Sequence, residues 1–202
     1  MTLIRTYRPT DRADVADICV RTGELGGDAT GMHVSDGLLP DIYVLPYVEF
    51  EPDLAYLADT GDHVAGYLVA TADTRAFVAR YRAEWLPGFA QRYARAEPPV
   101  TASDQIIEVG YTPERMLIPE LDAYPAHLHI DLLPELQGQG LGRTLIRRLL
   151  AELRERGVPG VHLGVSPRNV SARGFYAALG FQPLPSGGAD GGLLGLATDA
   201  TV

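Results

Sequence analysis

At 202 residues with 46% hydrophobic side chains, the chain can bury a full core and is read as one domain over 1–202. A formal net charge of −9 without a basic face argues against a nucleic-acid partner, and no apolar run approaches the roughly 20 residues of a membrane span. All 17 basic residues are arginine, so a Walker-type phosphate loop and Schiff-base chemistry lack the lysine they need.

The opening residues MTLIRTYRPT lack the basic and apolar regions of a signal peptide, which points to a cytoplasmic protein. The lone cysteine, Cys19, falls at helical spacing with Val15 and Ile18 and reads as a small buried hydrophobe. Charge divides unevenly: residues 1–126 carry net −10 and residues 127–202 net +1. This is either a solvated acidic surface or a division between a C-terminal part that tolerates an anionic cofactor and an N-terminal part that attracts a cationic acceptor.

Along the chain, LIRTYR at 3–8 alternates as a strand, and Thr10 caps a helix ending near Gly23. Residues 26–37 form a glycine-rich loop. LLPDIYVLPYVEFEPD, with prolines at 40, 46 and 52, predicts a short helical turn and irregular chain. LAYLAD and HVAGYLVATAD predict a hairpin. Residues 75–95 have helical period, with a break or kink expected at Pro87 and so two shorter helices rather than one. Residues 96–125 predict loops with strand fragments around 106–109.

From Ala126 the pattern sharpens. HLHIDLL predicts a strand, Pro134 stops its pairing, and QGQGLG at 137–142 leads into a helix with Leu141, Leu145, Ile146, Leu149, Leu150 and Leu153 on one face. VHLGV predicts a strand, residues 169–179 a helix, and FQPL and GLLGLA two closing strands. Alternating strands and helices with early hairpins imply a mixed sheet in an α/β (α+β) domain.

A glycine turn at a helix start gathers backbone N–H groups beside the positive end of the helix dipole, which suits pyrophosphate. A dinucleotide loop needs G-x-G-x-x-G, but Arg143 stands where its last glycine belongs. Q-x-x-G-x-G after a strand ending in Leu-Leu-Pro resembles the acetyl-CoA loop of the GNAT acetyltransferases. NVSARGFYAALGF at 169–181 is similar to that family's other cofactor motif. The stretches at 39–87 and 124–142 also look similar to the acetyltransferase-like domain at the C-terminus of O-GlcNAcases and to its bacterial relatives.

The resemblance implies the GNAT acyl-CoA N-acyltransferase fold, with a mixed central sheet of about seven strands flanked by helices. It implies acetyl-CoA as cofactor, held by Gln137, Gly138, Gln139, Gly140, Leu141, Gly142 and Arg143, with backbone hydrogen bonds from Leu132 and Leu133 to the pantetheine arm. Asn169 is implied to bind that arm, Arg173 shares its helical stripe, and Tyr176 sits near the thioester sulfur. With reference values near 10 for tyrosine and 8.5 for a thiol, full proton donation to the thiolate is uphill by roughly 2 kcal/mol, so a hydrogen bond to sulfur carries more weight.

The activity so implied is N-acetyl transfer to a small-molecule or peptide amine, with a second copy of the chain as a candidate partner. The alternative is an inactive acetyl-CoA-binding or interaction module. An alkylammonium with pKa near 10 costs roughly 4 kcal/mol to deprotonate at pH 7, so a base is useful. His127, His129 and Asp131 share one strand face; His129 is the first candidate and Asp131 the second. Relatives carry the base at the other parity, so either a bulge re-aims this face or the base is Asp73, Glu108 or His162. Tyr43, Tyr47, Tyr67, Asp73 and Trp85 are candidates for the acceptor side, with ordinary packing as the other reading.

Overall fold

The computed structural model describes residues 2–188 and 190–202. Among them, seven strands form one sheet in the order β1-β2-β3-β4-β5-β7-β6. The strands are β1 (Leu3–Thr6), β2 (Ala55–Asp59), β3 (Val64–Thr71), β4 (Ala126–Leu132), β5 (Gly160–Gly164), β6 (Gln182–Pro183) and β7 (Leu193–Ala197). All neighbouring pairs are antiparallel except β4 and β5, which are parallel and joined by the crossover helix α7 (Leu141–Glu155).

The alternation of β3 and β4 builds two cores. Tyr67 and Val69 face one side, where they meet Val15, Ile18 and Cys19 of α1 (Arg12–Arg21) and Tyr47 of α3 (Leu45–Phe50). Leu68, Ala70 and Leu128 face the other, against Leu145, Ile146 and Leu149 of α7 and Tyr176 of α8 (Val170–Ala178). Cys19 is the buried hydrophobe its spacing implies.

Two segments differ from expectation. The proline-rich run forms two helices, α2 (Leu38–Tyr43) and α3, because Pro40 and Pro46 each occupy a first turn, where a missing N–H costs nothing. Residues expected to hold strand fragments form α6 (Ala102–Tyr111). Its start is a capping box: Thr101 Oγ1 accepts from the Asp104 N–H, and Asp104 accepts from the Thr101 N–H. Gly110 lets α6 close on the Phe89 ring, whose Cζ would lie 2.2 Å from an added Cβ.

The run around Pro87 forms two shorter helices, as expected, with the interruption just before the proline. α4 (Thr74–Arg80) runs through a wide turn at Tyr81–Trp85 into α5 (Leu86–Arg92), and Pro87 falls in the first turn of α5. The Leu86 N–H reaches the Tyr81 carbonyl, so the extra residue in that turn accommodates the proline. Among the described residues, no helix is long and apolar enough to cross a membrane.

Candidate active site

β4 and β5 pair only at Ala126–Val161 and His127–His162, and beyond that point the ladder stops. β4 continues to Leu132 beside β3, and β5 continues to Gly164 beside β7, so the two strands part. A groove of about 780 Å³ fills the gap. Leu128, Ile130 and Leu132 line one wall, Val165 and Ser166 the other, and the start of α7 closes one end.

Backbone parity decides which groups reach this groove. The Leu133 N–H donates to the Ala65 carbonyl at 2.9 Å, and the β3–β4 register runs without a bulge. Residues 127, 129, 131 and 133 therefore spend their backbone groups on β3, and Ile130 and Leu132 direct theirs toward the gap. Leu132 keeps its N–H on the gap side, where the resemblance implies a pantetheine arm. Leu133 does not: it is 1% exposed, and its amide belongs to the sheet. Ile130 takes its place, a residue that strand parity could have found once the paired edge was known.

At the start of α7 the backbone N–H groups of residues 138 to 143 donate to no acceptor among the described residues. Gly138 (φ 73°) and Gly140 (φ 77°) are left-handed, and a Cβ on either would meet nothing within 4 Å. Open space, unused donors and the N-terminus of a 15-residue helix together fit a diphosphate. Gln137 caps the Leu132 carbonyl through Nε2 at 2.9 Å while lining the groove, and Gln139, outside the lining, binds the Glu135 carbonyl, so both side chains shape the turn. Leu141 packs on the core, Gly142 admits the Phe175 ring, and Arg143 lines the groove while reaching the Ala178 carbonyl at 3.4 Å.

On the second motif, Asn169 caps α8 by accepting from the Ala172 N–H at 3.0 Å, which leaves its two amide N–H bonds free beside the groove. Arg173 departs from the expected stripe. Its guanidinium donates to the Asp190 and Gly191 carbonyls at 3.0 Å, so it clamps the loop before β7 and does not line the groove. Tyr176 is 8% exposed, lines the groove, and its hydroxyl has no partner among the described residues. Burial pushes its pKa up, so it stays a donor at working pH.

His129 and Asp131 line the acceptor half together with Tyr43, without a bulge to re-aim them. His127, on the same face, is buried behind them. The other candidate bases are engaged elsewhere. Asp73 caps α4, Glu108 forms a two-point ion pair with Arg95, and His162 is 3% exposed with Nδ1 on the Tyr124 carbonyl. Tyr47 and Tyr67 stand behind the histidine and the carboxylate, and Trp85 donates to the Asp41 carbonyl outside the groove.

Burial sets the electrostatics. It lowers His129 from 6.5 to about 3, with the Arg115 charge adding to the effect, and raises Asp131 from 3.8 to about 6 against the opposing Tyr67 hydrogen bond. At neutral pH the acceptor half holds one carboxylate and neutral imidazoles. Among the groove-lining residues the charged side chains are Asp131 and Arg143, one near each end.

A seven-stranded mixed sheet parted at a parallel pair, with a donor-rich helix start in the gap, defines an acyl-CoA-type transferase fold. The model of the Acetyltransferase (GNAT) family matches residues 109–181. The crystal structure of SsHAT is 46% identical, with 98% of each chain covered and a TM-score of 0.90. The protein O-GlcNAcase of Rattus norvegicus is 24% identical over 182 residues, 88% of this chain; the chain spans 20% of that relative's length. The structure of yncA, a putative acetyltransferase from Salmonella typhimurium with its cofactor acetyl-CoA, shares the fold at 16% identity and a TM-score of 0.54, covering 100% of this chain and 96% of that one. The chain belongs to the GNAT acetyltransferase family.

Proposed function

We propose that this protein is an acetyl-CoA-dependent N-acetyltransferase that passes acetyl directly to an amine held in the same groove. The observation that carries this reading is the continuity of one groove from the unused N–H groups of 138–143, past the free edge of β4, to Asp131. Bound acetyl-CoA supplies an activated thioester.

The chain supplies position and charge. The N–H groups of 138–143 and the dipole of α7 hold the diphosphate; the backbone of Ile130 and the Leu132 N–H pair with the extended arm; the Asn169 amide donates to it. The Tyr176 hydroxyl donates to the sulfur as charge develops there. The ionised Asp131 attracts a cationic amine and takes its proton.

Magnitudes choose Asp131 over His129 as base. Moving a proton from an alkylammonium near 10.4 to a group at about 6 is uphill by roughly 6 kcal/mol, and to one at about 3 by roughly 10 kcal/mol. His129 therefore serves as a neutral acceptor beside the base. Thiol release from acetyl-CoA across a panel of amines tests the reading. Turnover with at least one amine supports it; binding of acetyl-CoA without turnover on any amine overturns it in favour of a binding module.

A further inference from the structure

A chain of short contacts runs behind the acceptor half of the groove. Thr74 Oγ1 lies 2.7 Å from the Pro125 carbonyl oxygen and 2.7 Å from His127 Nδ1. His127 Nε2 lies 2.7 Å from the Tyr47 hydroxyl, which is 3.1 Å from His129 Nε2.

The directions in this chain follow from its end. Two oxygens 2.7 Å apart share a hydrogen, and a carbonyl has none to give, so Thr74 donates to Pro125. Its oxygen must then accept from His127, which places that proton on Nδ1. Burial keeps both histidines neutral, so each ring has one donor and one acceptor. His127 Nε2 accepts from Tyr47, and the Tyr47 oxygen accepts from His129 Nε2–H. The other acceptor near Tyr47, Met116 Sδ at 3.8 Å, is too weak to compete with an imidazole nitrogen at 2.7 Å. His162 stays outside the chain, its Nδ1 on the Tyr124 carbonyl.

We propose that Thr74, His127 and Tyr47 form a one-way hydrogen-bond relay that fixes His129 in its Nε2–H tautomer, leaving the Nδ1 lone pair toward the groove as an acceptor for an N–H of the incoming amine. The inference rests on the amine-acceptor reading of the groove. His129 Nδ1 has no partner among the described residues, and the ring lines the groove. Positions i and i+2 on one strand face lie about 6.6 Å apart, a span in which one nitrogen can reach both His129 and Asp131. Tyr47 is thus a positioning residue that acts through His129. It is 1% exposed and does not line the groove.

Nitrogen NMR of the full chain labelled at histidine reads the tautomers directly, with or without turnover. The expected result is a protonated Nε2 with a bare Nδ1 on His129, and the reverse on His127. The opposite assignment, or a fast-averaged pattern on His129, overturns the relay.

A double-mutant cycle supplies the functional arm. Tyr47→Phe should raise the amine KM about tenfold, the scale of one hydrogen bond, with acetyl-CoA affinity unchanged, and should have no further effect in a His129→Ala background. Additive effects of the two substitutions overturn the proposal. Absence of turnover on any amine overturns the transferase reading instead, and the tautomer pattern still decides the relay.

Discussion

The Tyr67 hydroxyl donates to Asp131 Oδ2 at 2.5 Å from the position directly opposite on β3. Tyr67 is fully buried, so this bond is fixed from within the core, and the carboxylate lines the groove. Burial raises Asp131 to about 6, and the phenol holds it from rising further.

The acid limb of the pH–rate profile should therefore fall near 6 and report Asp131. Tyr67→Phe removes a donor to the ionised form and should move that limb upward by about one unit. Asp131→Asn should abolish turnover at pH 7. The stability sign is opposite to that of a paired carboxylate. Because the folded value lies above the ordinary 3.8, the stabilisation from protonated Asp131 is full below pH 3.8 and lost as pH rises through 6. In urea unfolding at pH 8, Asp131→Asn should be more stable than the parent by about 2 kcal/mol, a figure lowered for the water that reaches the groove, and the gain should vanish toward pH 3. Full turnover in Asp131→Asn would remove it as the base.

Gly140 caps α7 at φ 77°, with nothing within 4 Å of an added Cβ. Gly140→Glu should cost about 1–2 kcal/mol for the left-handed backbone and keep the fold. It sets an anion where the diphosphate belongs, so calorimetry should read a loss of CoA affinity of at least about a hundredfold. Unchanged affinity in a folded variant would move the cofactor site away from 138–143.

Tyr176→Phe removes a donor with no acceptor among the described residues, so thermal stability should stay within about 0.5 kcal/mol. If the hydroxyl meets sulfur in the transition state, kcat should drop about ten- to a hundredfold with CoA affinity unchanged. Equal kcat values in single-turnover assays would leave Tyr176 a packing residue beside Phe175 and Phe181.

Much of the site was legible because its signals are local. The glycine turn before a leucine-faced helix, the helix starting at Asn169 and the alternation of His127, His129 and Asp131 each involve a few neighbouring residues, and torsion preference and side-chain period act at that range. The capping box at Thr101 was equally local. It was masked by Ile106, Ile107 and Val109, whose strand-like character yields to packing on Phe89 and Tyr93.

What the sequence by itself determined was the chemistry available: a donor-rich turn without lysine, a tyrosine on the following helix, and imidazoles beside a carboxylate on one strand face. Tertiary structure decided which of these meet. The parting of β4 from β5 freed Ile130 and Leu132 and left Leu133 to the sheet, and the loop before β7 drew Arg173 away. Burial shifts His129 and Asp131 in opposite directions, and on that the proposal of Asp131 as base rests. Strand pairing and desolvation depend on partners distant in sequence, and no short stretch of the chain contains them.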